Sequence, residues 1–293
     1  MTTTAAAIPL AVAASWRDVV ALLKLRIGAL VVVTALAAAV AAGARGPGGL
    51  AVLALACLAA SSGASALNHY LDRDLDARMA RTAMRPLPSG RIRDPRLALW
   101  LGLGLVASAA ASGPALGWVV VAYLLAGAAT YAGVYTAWLK RRTPYSIVVG
   151  GAAGSFAALA GWETAASTWQ PAPQLLAAVL FLWTPAHFWS LSIVLERDYR
   201  AAGVPALSAL VGPVRTAGAV WASTLGLVAA SLALGAYAGW PYLALAVPAG
   251  LGFLTYTHRL RRDPTPARAF LTFKLSGAYL LALLGGLVLS ALV

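Results

Sequence analysis

Asn68, Asp72 and Asp76 stand four residues apart in the run Asn68-His69-Tyr70-Leu71-Asp72-Arg73-Asp74-Leu75-Asp76, at the end of an apolar stretch. On a helix each step of four residues turns about 400°, so the three side chains line one face. Two carboxylates and an amide oxygen stacked at a membrane boundary are costly without a cation to hold. A few oxygen ligands that leave room for water and phosphate oxygens suit Mg²⁺. The spacing therefore points to an enzyme that handles a diphosphate at a membrane surface. Beyond this face, Arg81 and Arg85 offer guanidinium groups to phosphate oxygens, with exposed, orientation-setting charge as the competing role. Asp74 falls on the opposite helix face, where Arg78 is the expected partner for an ordinary helical ion pair.

Other segments carry weaker signals. In Glu196-Arg197-Asp198-Tyr199-Arg200, Asp198 is a candidate for a second metal site across the bundle, with Glu196 as a helper. Acidic residues in a polar loop are also ordinary. In Tyr135-Thr136-Ala137-Trp138-Leu139-Lys140-Arg141-Arg142, Lys140 and Arg141 can cradle a diphosphate or simply set membrane orientation. Tyr135 is either core or a hydroxyl donor to phosphate. His187 lies inside an apolar segment, where histidine is costly and faces the bundle interior. It is a candidate heme ligand, substrate-orienting group or proton carrier; a hydrogen bond to a neighbouring carbonyl is the plainer role. His69 is beside the metal face but not on it, and His258 reads as interfacial. Gly150 and Gly154, and Gly235 and Gly239, have the spacing of small residues at close helix contacts. No zinc spacing, Walker motif or Gly-rich dinucleotide turn is present.

The elements that must position these groups are membrane helices. Of 293 residues 61% are hydrophobic and 11% charged, against roughly 25% charged in a soluble domain. Mean hydropathy is +0.79. Apolar segments fall near 27–43, 49–71, 97–113, 115–138, 144–162, 173–195, 215–239, 241–257 and 271–292, each near the ~20 residues a span requires. The expected fold is all-α: one integral-membrane domain over 1–293, with nine transmembrane helices. Gly113-Pro114 and Trp240-Pro241 supply turn chemistry between close neighbours. Residues 1–15 lack a positive start before their mildly apolar stretch, which argues for a loose tail rather than a cleaved signal. Cys57, the single cysteine, reads as a small packing residue.

The net charge of +13 would suit nucleic acid, but its distribution argues otherwise. In a nine-span arrangement every Lys and Arg except Arg45, and every acidic residue except Glu163, falls on one side. That asymmetry places the N-terminus and the functional loops in the cytoplasm.

At these residues the chain resembles the UbiA-type intramembrane prenyltransferases, and within them the branch that farnesylates heme. Asn68-x3-Asp72-x3-Asp76 matches the superfamily's first acidic motif. The resemblance to the heme branch rests on the surrounding Asp72-Arg73-Asp74-Leu75-Asp76-Ala77-Arg78, on Arg85-Pro86-Leu87-Pro88-Ser89-Gly90, and on Leu139-Lys140-Arg141-Arg142-Thr143-Pro144. It continues in Thr184-Pro185-Ala186-His187-Phe188-Trp189 and in Asp198-Tyr199-Arg200-Ala201-Ala202-Gly203-Val204-Pro205. Two departures stand out: Leu25 follows Lys24 where the family has proline, and Arg197 precedes Asp198 where the family has a second aspartate.

The resemblance implies nine helices around a central cavity. It also implies a reaction in which farnesyl diphosphate and heme B give heme O and diphosphate. Mg²⁺ on Asn68, Asp72, Asp76 and Asp198 would bind the diphosphate, with Arg81, Arg85, Tyr135, Lys140 and Arg141 around it. Tyr70, Tyr135, Phe188 and Trp189 are candidates to face the allylic cation, and His187 to hold the heme. The implied setting is the cell inner membrane, with heme A synthase or oxidase assembly proteins as partners. The competing readings are a related enzyme acting on an aromatic or quinone precursor, and a transporter or noncatalytic heme-handling protein. A transporter has no need of a Mg²⁺-ready triad beside a basic cradle.

Overall fold

The computed structural model describes residues 14–293; the tail expected over 1–15 lies almost wholly outside them. Among the described residues the chain is helical, with no strand. Short α1 (Trp16–Leu22) leads into α2 (Leu25–Ala41), and the two are bent by 45° at Lys24. The long α3 (Pro47–Asp76) is followed by a turn-rich loop and α4 (Arg96–Ala110). Then come α5 (Gly113–Leu116) and α6 (Trp118–Ala129), which runs on into a π-helix over Thr130–Leu139. Next are α7 (Ser146–Gly150), α8 (Ala152–Glu163), α9 (Pro171–Val194) and α10 (Glu196–Ala201). The chain ends with α11 (Leu207–Ala238), α12 (Trp240–Arg262) and α13 (Pro266–Leu292).

The packing closes on itself. α2 packs on α3, α3 on α6, α6 on α8, α8 on α9, α9 on α11, α11 on α12, α12 on α13, and α13 returns to α2. α4 lies against α3 and α6. Close approach needs small residues: a Cβ on Gly161 of α8 would sit 2.0 Å from the Ala35 carbonyl oxygen of α2, so this contact exists only for glycine. The largest buried cluster joins α9 and α11–α13 through Leu176, Leu227, Tyr242 and Leu283.

Length and composition do not confirm nine spans. Among the described residues six helices pass as membrane-crossing, or seven if the bent α1–α2 pair counts as one span. The segment expected over 144–162 is broken between α7 and α8, and the one over 241–257 continues into the charged end Arg259–Arg262 of α12. Helix boundaries also moved. Gly113-Pro114 opens α5, and the left-handed turn before α6 is at Gly117 (φ 89°). Gly239 is a turn residue as well (φ 86°), joining α11 to α12 rather than serving a packing pair with Gly235. Cys57 is buried and unpaired, as expected.

Candidate diphosphate site at the end of helix α3

α3 carries Asn68, Asp72 and Asp76 on one face, and all three are almost fully buried. The helix ends at Asp76 because the buried Thr82 hydroxyl turns back to the Asp76 carbonyl at 2.8 Å, closing the following loop under it. That loop delivers Arg85, whose guanidinium donates to Asp76 Oδ2 at 2.7 Å. Because helical geometry stops there, Arg78 cannot meet Asp74 as an i,i+4 partner.

The facing wall is the π-helix. Its hydrogen bonds run to the fifth residue back, as from the Lys140 amide to the Tyr135 carbonyl. This geometry is rare and is associated with functional sites. At ~4.4 residues per turn, the nine residues from Tyr131 to Lys140 make about two full turns; on an α-helix they would end on opposite faces. The wide turn therefore aligns Tyr131, Thr136 and Lys140 toward α3. Thr136 Oγ1 accepts from Asn68 Nδ2 at 3.0 Å and donates to the Tyr131 carbonyl. Lys140 Nζ donates to Asp72 Oδ2 at 2.5 Å.

The polar groups of the triad can be accounted for atom by atom. Asn68 Nδ2 donates to both Asp72 Oδ2 and Thr136 Oγ1, so both amide hydrogens are committed. Asn68 Oδ1 accepts from Lys24 Nζ at 2.5 Å, and Lys24 also donates to the Tyr131 hydroxyl at 3.1 Å. Asp72 Oδ1 and Asp76 Oδ1 are buried with no partner. Unpaired carboxylate oxygens in a protein interior are costly. Together with the amide oxygen on the same helix face, they form a donor set that fits a hard divalent cation.

The other expected residues divide. Tyr135, Lys140, Phe188, Trp189 and Tyr199 line one pocket beside Asp72's partner Lys140. Tyr70 does not join them, because its ring is covered by the Arg73 guanidinium at 4.6 Å. Arg141 is also turned away. It makes a two-pronged ion pair with Asp74 at 2.8 Å and donates to the Leu71 carbonyl, on the far face of α3 from the triad. The Asp74 carboxylate holds the Arg141 pKa above its ordinary value. Arg81 is exposed and within electrostatic range of Tyr199.

The second acidic loop, α10, packs on the end of α3 through Tyr199 against Leu75 and Met79. Burial raises the Tyr199 hydroxyl pKa despite Arg81 and Arg85 nearby, so the group stays protonated. Asp198 is half-buried. Among the described residues, no three His, Cys, Asp or Glu side chains lie close enough to share one ion. Glu196 is engaged in an i,i+4 pair with Arg200 at 2.6 Å. His187 Nδ1 pairs with Ser276 Oγ at 2.6 Å, and its ring sits between Trp183 and Phe273, each 4.3 Å away. Lys24 and Thr136 also contact Asn68, and sequence reasoning missed both. One was hidden among orientation-setting cations, the other by the assumption of α-helical periodicity.

The UbiA prenyltransferase family model matches residues 30–284. The chain is 43% identical over 243 residues to protoheme IX farnesyltransferase 1 of Cenarchaeum symbiosum, covering 79% of each chain. It is 42% identical over 274 residues to protoheme IX farnesyltransferase 1 of Paramagnetospirillum magneticum, covering 92% of this chain and 96% of that one. Its fold is similar to a UbiA homolog from Aeropyrum pernix K1 (TM-score 0.75, 21% identity, 91% and 98% of the two chains). It is also similar to a UbiA homolog from Archaeoglobus fulgidus bound to DMAPP and Mg²⁺ (TM-score 0.70, 16% identity, 92% and 99%).

Proposed function

The chain belongs to the UbiA prenyltransferase family, as a multi-pass integral membrane enzyme, and from that premise we propose that it transfers a farnesyl group from farnesyl diphosphate to a vinyl group of heme B. Water adds in the same reaction, giving heme O and diphosphate. The observation that carries this reading is the pair of buried, unpartnered oxygens Asp72 Oδ1 and Asp76 Oδ1, whose sister oxygens are held by Lys140 and Arg85. Relatives named protoheme IX farnesyltransferase, about two-fifths identical over most of the chain, support the heme acceptor.

Asn68, Asp72 and Asp76 would hold Mg²⁺, with Asp198 serving a second position across the bundle. When bound, the metal supplies charge neutralisation for the diphosphate leaving group. Lys140 and Arg85 add positive charge where negative charge grows as the allylic C–O bond breaks. Arg81 and Tyr199 extend that field to the α10 side, with Tyr199 donating its retained proton. Arg141 has no direct part; it fixes the end of the π-helix to α3. Tyr135, Phe188 and Trp189 present ring faces to the allylic carbon and keep water from it until the vinyl carbon attacks. His187 orients the heme, held by Ser276 and flanked by Trp183 and Phe273. The whole chain acts as one domain in the cell inner membrane with this site at the cytoplasmic face, a reading supported by its charge asymmetry. Heme O passes onward to heme A synthase or oxidase assembly proteins.

The test is a membrane assay with heme B, farnesyl diphosphate and Mg²⁺, with products resolved by chromatography and mass. Heme O that disappears with EDTA supports donor, acceptor and metal together. A prenylated quinone precursor in place of heme O overturns the acceptor. His187→Ala should weaken heme binding in an absorbance titration more than it weakens diphosphate binding; unchanged heme affinity removes His187 from the acceptor site.

A further inference from the structure

Lys24 is the only non-glycine residue with positive φ among the described residues (φ 46°, ψ 49°). The left-handed conformation costs an L-residue free energy and persists where the surroundings over-determine it. Here they do. The break between α1 and α2 carries the Lys24 side chain to Asn68 Oδ1 and the Tyr131 hydroxyl. Neither is charged. In the cluster around the triad, Asp72 and Asp76 are matched one to one by Lys140 and Arg85. Lys24 is thus a cation in excess, held by neutral oxygens in a partly buried setting. Excess charge of this kind calls for a counter-ion. A diphosphate ester with one divalent cation brings a net charge of about −1.

The second observation concerns Asn68. Both of its amide hydrogens are committed, to Asp72 and Thr136, so the amide cannot turn without losing both bonds. Its one metal-competent atom is Oδ1, and Lys24 occupies it. A cation entering the triad therefore finds two open carboxylate oxygens but an amide oxygen already shared with an ammonium, whose charge repels a second cation there.

Building on the proposed diphosphate site, we propose that Lys24 is a diphosphate-responsive latch on Asn68. In the free protein its ammonium occupies Asn68 Oδ1. When a diphosphate enters, the ammonium passes to a phosphate oxygen and releases Oδ1 to the divalent cation. Metal binding is thereby tied to arrival of the diphosphate, and free metal is held weakly. Lys24 is a phosphate-contacting residue in this scheme, and Thr136 a positioning residue that keeps the amide aimed.

The test uses the purified full chain in lipid nanodiscs. Mn²⁺, an oxygen-seeking stand-in for Mg²⁺, is titrated with and without inorganic diphosphate, and bound ion is read by electron paramagnetic resonance. The wild-type protein should bind Mn²⁺ weakly alone and more tightly with diphosphate. Lys24→Met keeps the side-chain length without the charge. It should bind Mn²⁺ alone about tenfold more tightly, the scale of outer-shell effects on metal sites, and gain less from diphosphate. Lys24→Asn suits the left-handed backbone and should behave the same way if the Met variant fails to fold. Lys24 variants that match wild type in both titrations overturn the latch. Asp72→Asn separates the two readings. If it loses the ion while the Lys24 variants match wild type, only the latch fails. If Asp72→Asn itself matches wild type, the triad is not the metal site, and both readings fall.

Discussion

The two acidic motifs are built differently. The first rides the last turns of α3, a 30-residue helix, and each of its side chains is buried and fixed by a partner from elsewhere in the chain: Lys24, Thr136, Lys140 or Arg85. The second sits on α10, six residues long, reached through the kinked backbone at Leu195. Its Asp198 is half-buried, and its Glu196 is neutralised by Arg200 on the same helix. A similar residue type thus serves two ends. In the first motif the surrounding charges pre-position the carboxylates. In the second, the aromatic packing of Tyr199 against Leu75 and Met79 holds the loop and leaves the carboxylate to be recruited. Preorganised charge contributes most to rate, so the first motif should be the less tolerant.

Substitutions test that ranking. Asp72→Ala should lower turnover by at least about 10²–10³-fold, as for loss of one preorganised charge-stabilising group. Membrane insertion should be retained, as judged by size-exclusion of the solubilised protein; near-normal turnover would remove Asp72 from the site. Thr136→Val keeps the shape but strands one Asn68 amide hydrogen. It should weaken metal binding about tenfold, measured by Mg²⁺ dependence of turnover, with Thr136→Ser restoring it. Asp198→Asn should raise KM for farnesyl diphosphate about tenfold while sparing kcat, the signature of lost uniform binding. A kcat loss as deep as that of Asp72→Ala would erase the distinction between the motifs. Glu196→Gln should change little, because an i,i+4 pair this close to solvent contributes about 0.5 kcal/mol or less. A thermal melt and one turnover measurement suffice, and a large activity loss would put Glu196 back among the metal ligands.

The first motif was legible because a period of four on a helix is a geometric statement that survives ignorance of everything around it. Asn68, Asp72 and Asp76 do share a face, and Lys140 and Arg85 do reach them. What was illegible depended on departures from ordinary helix geometry. Lys140 and Arg141 look equivalent in sequence, yet the π-helix aims one at Asp72 and leaves the other to Asp74. Arg78 looks like Asp74's partner until α3 ends two residues earlier. Lys24 looks like one more orientation-setting cation until the backbone turns left-handed there. The nine-span count is left unconfirmed for a related reason: hydropathy does not register the break at Gly151 or the arginines that finish α12.

The π-helix also bears on how this segment tolerates changes in length. It takes nine residues from Tyr131 to Lys140 to return to the same face, where an ordinary α-helix would take about seven. Deleting two residues between them would leave a shorter, more regular helix that still points both side chains at α3. Deleting one would satisfy neither geometry and swing Lys140 off the carboxylate. Register at this wall therefore depends on which helix type the segment's length permits, and a two-residue deletion in 132–139 should be tolerated better than a one-residue deletion.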